Sequence, residues 1–139
     1  MTHDEGYGKG GITYTVLFKP SEPAEFRVPE KIEFIKLPDP ETTSIMSVEE
    51  AILRRRSIRD YKEEPLALQD VSQLLWAAQG ITDPVRKFRA APSAGVTYPL
   101  KVYVVVGVNG VIGLNEGLYH YDPFNHRLKH LMKGIYAHS

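Results

Sequence analysis

Five prolines between positions 20 and 40 (Pro20, Pro23, Pro29, Pro38 and Pro40) rule out a long helix in the first third of this chain. Each fixes its own φ, removes an amide donor and pushes the preceding residue out of the α region. Apolar residues still recur there, at Phe26, Val28, Ile32, Phe34, Ile35 and Leu37. An extended segment with that many anchors packs on something, either its own domain or a partner subunit. Residues 12–18 read as a short strand ahead of it. The run Gly6-Tyr7-Gly8-Lys9-Gly10-Gly11 has the composition of a phosphate loop but neither the preceding strand nor the following helix that such a loop needs. Residues 1–46 are thus read as an arm, and residues 47–139 as the domain it belongs to.

Helical signals begin at Ser47. Ser47-Val48-Glu49-Glu50 has the form of a capping box, and Val48, Ala51 and Ile52 give a helical apolar spacing. This helix is expected to end near Arg56, because residues 57–61 alternate like an extended chain. A second helix is expected from Leu68 to Gln79. Leu68, Val71, Leu74, Leu75 and Ala78 line one face; Gln69, Asp70, Ser72 and Gln73 line the other. Trp76 lies beside the apolar stripe and belongs to the core. Gly80 takes the stop position.

The remainder reads as strands. Residues 100–106 (LKVYVVV) are nearly all β-branched, aromatic or aliphatic, which predicts a strand buried on both faces. Asn109-Gly110 marks a turn. Residues 117–121 and 127–131 give two more strands around a turn at Asp122-Pro123-Phe124-Asn125, and their close spacing predicts antiparallel pairing.

The chemistry concentrates in Leu53-Arg54-Arg55-Arg56-Ser57-Ile58-Arg59-Asp60-Tyr61, with four arginines and a serine in six positions. Cations at a helix C-terminus complement the helix dipole, which accounts for about two of them. Arg59, past the helix, and Ser57 are left without that explanation. Guanidinium forks match phosphate oxygens in pairs, so Arg55, Arg56 and Ser57 turned to one pocket would hold a phosphate or a polyol chain. A second stretch, Ala90-Ala91-Pro92-Ser93-Ala94-Gly95, is poor in side chains and lets backbone amides approach a flat ligand.

Charge is balanced, with 17 Lys+Arg against 17 Asp+Glu. The arginine cluster is therefore local, which favours a small ligand and counts against nucleic acid. Without cysteine there is no disulfide, thiolate nucleophile or zinc–cysteine site. No apolar run approaches a membrane span and no secretory segment follows Met1, so a cytoplasmic protein without a membrane partner is expected. His126 and His130 are four apart, but their surroundings read as strand, so surface histidines near a hairpin are expected and no metal site. No Gly-x-Ser-x-Gly elbow supports Ser93 as a hydrolase nucleophile.

Three stretches taken together resemble the nitroreductase family, most closely its SagB-type dehydrogenase branch: SVEEAILRRRSIRDY at 47–61, PLALQDVSQLLWAAQGIT at 65–82, and RAAPSAGVTYPLKVYVVV at 89–106 with GLYHYDPFNHRL at 117–128. The resemblance covers roughly residues 44–131. It implies an α+β fold, with an antiparallel sheet flanked by helices and an intertwined homodimer binding FMN at its interface. It implies that Arg55, Arg56 and Ser57 hold the FMN phosphate and ribityl chain, with Arg59 near the pyrimidine edge of the ring. Pro92, Ser93, Ala94 and Gly95 would meet the flavin bound mainly by the other subunit. The activity implied is an FMN-dependent oxidoreductase passing hydride between a donor such as NAD(P)H and a small molecule or a peptide azoline. Family members run to about 200 residues, so the resemblance also implies that the C-terminal half of the domain lies outside this chain. The other reading is a family remnant that dimerises or binds a partner without turnover.

Overall fold

The computed structural model of this protein describes residues 25–27 and 31–135. The expected strand at 12–18 and the glycine run at 6–11 lie outside those residues. The elements in order are β1 (Glu25–Arg27), β2 (Glu33–Lys36), α1 (Val48–Arg54), α2 (Leu68–Gln79), β3 (Tyr103–Val106), β4 (Gly117–Asp122) and β5 (Arg127–Ile135), with one 3-10 turn at Ala94–Val96. The architecture is α+β, with an all-antiparallel sheet.

β5 is the hub. One edge pairs with β4, and the other takes β2 along its first half (Ile35 opposite Leu128) and β1 along its last (Phe26 opposite Gly134). The described part of the arm therefore wraps onto its own sheet. It continues to Leu37, whose amide donates to the His126 carbonyl (3.2 Å) and whose side chain is in the core.

The β4–β5 turn falls where turn chemistry placed it. Asp122 organises it by accepting from the amides of Phe124 (3.1 Å) and Asn125 (3.4 Å), from Asn125 Nδ2 (2.8 Å) and from Arg127 Nε (2.9 Å). Burial raises the Asp122 carboxyl, but the hydrogen bonds from Asn125, Arg127 and Phe124 outweigh it and hold the group below the usual carboxylate range.

Register fixes which side chains share a face. Val104 opposes Tyr119, Tyr119 opposes His130, and Tyr121 opposes Leu128, so these five fall on the core face. With Val106 of β3 they meet Val71 and Leu75 of α2, Leu37 of the arm, and Val111 and Leu114 of the loop after β3. The opposite face carries the row Phe34, Lys129, His120 and Tyr103 across four strands.

β3 departs from expectation. It is shorter than residues 100–106, and its burial alternates: Val104 and Val106 are buried, Tyr103 and Val105 half-buried. Among the described residues the core cluster covers only one face of this edge strand, so its apolar run does not mean two covered faces.

α2 has the predicted bounds but a rotated face. Val71, Ser72, Leu75 and Gln79 are buried, whereas Leu74 and Ala78 are exposed and Trp76 is half-buried. The side-chain type of Ser72 predicts the polar face. It is buried because its hydroxyl donates to the Pro38 carbonyl (2.5 Å). Gly80 caps α2 with φ −64°, not the left-handed conformation of a usual glycine stop. Glycine is needed there for space, since a Cβ would collide with the Trp76 side chain and backbone.

The hairpin histidines are not surface residues. His126 Nε2 lies 2.7 Å from Ser72 Oγ and 3.0 Å from the Pro38 carbonyl, and its Nδ1 lies 2.9 Å from the Tyr121 hydroxyl. Because the Ser72 proton goes to Pro38, the network assigns the imidazole proton to Nε2 and leaves Nδ1 to accept from Tyr121. One ring thus ties the arm, α2 and the hairpin together. His130 is 1% exposed and stacks on Tyr119, with ring centroids 4.3 Å apart. Its Nε2 has no hydrogen-bond partner among the described residues.

Candidate functional site

The arginine segment stands away from this packed body. Ser47 caps α1 by accepting from the Glu50 amide (3.1 Å). The Glu50 carboxylate turns to Arg54 (2.7 Å), the i,i+4 partner, so the capping box is completed on one side only. At Arg55 the backbone leaves the helix (φ −55°, ψ 129°). Arg56 folds back, its Nη1 donating to the carbonyls of Leu53 (2.9 Å) and Arg55 (2.7 Å), which satisfies acceptors that the helix end would leave open. Dipole and cap thus account for Arg54 and for one donor nitrogen of Arg56. The Arg55 and Arg59 side chains have no hydrogen bond or ion pair among the described residues, and with Ser57 they are exposed.

The apolar residues around them are uncovered too. Ile52 is 71% exposed and Tyr61 84%, and Ile45, Val48, Leu53 and Ile58 are equally bare. An apolar stripe left in water forgoes the stabilisation that burial would give it.

The second stretch is a fastened loop. Ser93 Oγ accepts from the Tyr98 amide (2.8 Å), and Thr97 Oγ1 donates to the Ala94 carbonyl (3.1 Å). Gly95 has φ +62°, which glycine takes without cost; a Cβ there would meet only Thr97 Cγ2 at 3.8 Å. Val96 (φ 56°) and Tyr98 (φ 42°) adopt the same region against their steric preference. Strain of this kind persists where surrounding bonds hold it and gathers at ligand-binding loops. The loop is tied back through the Tyr98 hydroxyl, which accepts from the Arg89 amide (3.0 Å).

Within one chain, residues 92–95 are joined to Arg89 and Tyr98, and no hydrogen bond or ion pair links them to residues 55–59. Sequence reasoning passed over Arg89. Its guanidinium lies over the Tyr98 ring (4.6 Å) and the Phe124 ring (5.4 Å), and its Nη1 reaches Gln79 Oε1 (3.3 Å). The only one-dimensional hint was an arginine with no acid at helical spacing and no helix end to serve.

Among the described residues no cluster of three or more His, Cys, Asp or Glu side chains stands ready for a metal ion. No described helix is long and apolar enough to cross a membrane.

The Nitroreductase family matches residues 52–126, more than half of the 139. This chain belongs to the nitroreductase family. A protein of Methanocaldococcus jannaschii named as a nitroreductase is 41% identical over 105 residues, which are 76% of this chain and 50% of that one. The trifolitoxin-processing protein of Rhizobium leguminosarum bv. trifolii is 37% identical over 70 residues, 45% of this chain and 18% of that protein. The crystal structure of a nitroreductase-type protein from Ralstonia eutropha superposes with a TM-score of 0.61 at 33% identity, covering 81% of this chain and 50% of that one. The chain thus spans about half the length of the M. jannaschii relative and of the R. eutropha structure.

Proposed function

We propose that this chain forms part of an FMN-dependent oxidoreductase that works as a homodimer. The observation that carries this reading is a pair of unpartnered guanidinium groups, Arg55 and Arg59, just past a capped helix and inside the family match. These residues fit the phosphate end of FMN. Arg55 presents its whole donor fork, Ser57 adds a hydroxyl, and Arg56 keeps donors beyond the Nη1 that closes the helix. Arg59, two residues on, would lie toward the ring and hold negative charge there. Residues 92–95 offer a flat ligand a surface with little side-chain bulk, and a second copy of the chain would bring them to it. Burying the bare face around Ile52 and Tyr61 in that dimer would remove its cost in water.

FMN, when bound, supplies hydride transfer at ring nitrogen N5. The chain's own residues bind, orient and neutralise charge. NAD(P)H is the proposed donor. Similarity to the trifolitoxin-processing protein supports the SagB-type branch and a peptide azoline as the molecule acted on.

Titration of the purified protein with FMN, followed by flavin fluorescence, tests the reading. Saturable binding is expected. Arg55→Ala and Arg59→Ala should each weaken it by about 1.5–3 kcal/mol, the scale of a charge-assisted hydrogen bond. Colourless protein after full titration and desalting would remove FMN from the account.

The uncovered face of α1 favours one other reading, a dimeric interaction module without turnover. A dimer by light scattering that neither retains FMN nor oxidises NAD(P)H in its presence would decide for it.

A further inference from the structure

Arg89 lines a cleft of about 430 Å³ between the hairpin, the end of α2 and residues 98–102, on the side of the sheet that carries Phe34, His120 and Lys129. That volume lies in the range of small-molecule sites. A guanidinium has five N–H donors in one plane. Here the group lies over the Tyr98 and Phe124 rings, and one 3.3 Å bond to Gln79 is its only side-chain hydrogen bond among the described residues. Nε is buried with no hydrogen-bond partner among the described residues. The residue as a whole is half-buried, but a buried donor atom left unpaired is costly.

The surrounding charges do not repair this. Asp122 is the acid on the cleft, and its oxygens already accept from Arg127, from the Asn125 side chain and from two backbone amides. Arg127 is further occupied by stacking 4.0 Å over Phe34. Lys101 and Lys129 add two more cations on either side of His120. Burial, followed by these lysines against the opposing pull of Asp122, lowers the imidazole pKa, so His120 favours its neutral form. The cleft therefore combines excess positive charge, an unsatisfied planar donor edge and exposed aromatic walls.

We propose that this cleft is a binding site for a small aromatic anion, its carboxylate or phosphate meeting the open edge of Arg89 and its ring lying against Phe34 and Phe124. Lys101 and Lys129 supply the field that attracts it. Nothing in this cleft depends on flavin binding at residues 55–59, so either site can fail without the other.

The test uses the full chain with benzoate, phenyl phosphate, inorganic phosphate and neutral benzamide, followed by calorimetry and by NMR of the His120 ring. Benzoate or phenyl phosphate should saturate and shift the His120 signals, and inorganic phosphate should bind more weakly. Benzamide should not bind. Arg89→Gln should weaken the aromatic anion about tenfold or more, the loss expected for one charge-assisted hydrogen bond. Lys62→Gln, at an exposed position outside both sites, should leave it unchanged. Should Arg89→Gln fail to fold, Lys101→Gln, at an exposed position, should still weaken binding and flatten its dependence on salt. Three results would overturn the assignment: no saturable binding of either aromatic anion, equal binding of benzamide, or affinity indifferent to the folded variants.

Discussion

The sheet and the arginine segment are built on opposite terms. On the core face of the sheet, Leu128 is 0% exposed and its neighbours Tyr119, Tyr121 and Leu37 are nearly as dry. The donors and acceptors around them are largely used within the chain: Tyr119 donates to the Asn115 carbonyl (2.7 Å), and His126 joins three segments. Around α1, large apolar side chains face water and two guanidiniums have no partner among the described residues. The first region is complete within the chain. The second has the character of a surface that is finished by something else.

Leu128→Ala should show the largest effect. Truncating a fully buried leucine in the most densely packed part of the sheet costs about 2–5 kcal/mol, read from urea unfolding. A loss under about 1 kcal/mol would mean the sheet is looser than its burial indicates. Ser72→Ala should cost about 1–3 kcal/mol, because the Pro38 carbonyl loses its shortest donor and His126 Nε2 one of its two acceptors.

Asp122→Asn should be milder and dependent on pH. Its carboxyl is held low in the folded protein, so the stability it contributes is present above the unfolded aspartate pKa. That contribution is lost as pH falls through the folded value. Wild type and variant should differ in thermal midpoint near neutrality and converge in acid. A constant gap would assign the effect to shape instead of charge. The smallest effect on the fold should come from Ile52→Asp. In dilute protein it should change unfolding by no more than about 0.5 kcal/mol, as for other exposed sites, while shifting any monomer–dimer equilibrium toward monomer. A large loss in the dilute chain would erase the contrast between the two regions.

Local signals in the sequence carried the local elements. The bounds of α2 follow from its periodicity, and the β4–β5 hairpin from its Asp-Pro-Phe-Asn turn, because both depend on residues a few positions apart. Elements set by distant pairing were not legible in the same way. Nothing near Phe34 says that it opposes Lys129, and nothing near Ser72 says that Pro38 and His126 bury it. The strand at β3 was over-read because apolar composition records that a residue tolerates burial, not which face finds a cover. At the candidate site, the sequence singled out the arginine run, and the structure separates Arg54 and Arg56, which serve the helix end, from Arg55 and Arg59. Arg89 stayed hidden because its surroundings come from α2, the loop at Tyr98 and the hairpin at Phe124, which meet only after folding.

The placing of β1 and β2 on β5 has a consequence for biosynthesis. Their hydrogen-bonding template emerges from the ribosome about 90 residues after β2, a delay of roughly 5–20 s at ordinary elongation rates. Through that interval the nascent arm, with Phe34 and Ile35, has no ladder to join, and the greasy helix behind it is already out. Slowing translation before residue 127 should lengthen the interval in which Phe34 and Ile35 are left unpaired.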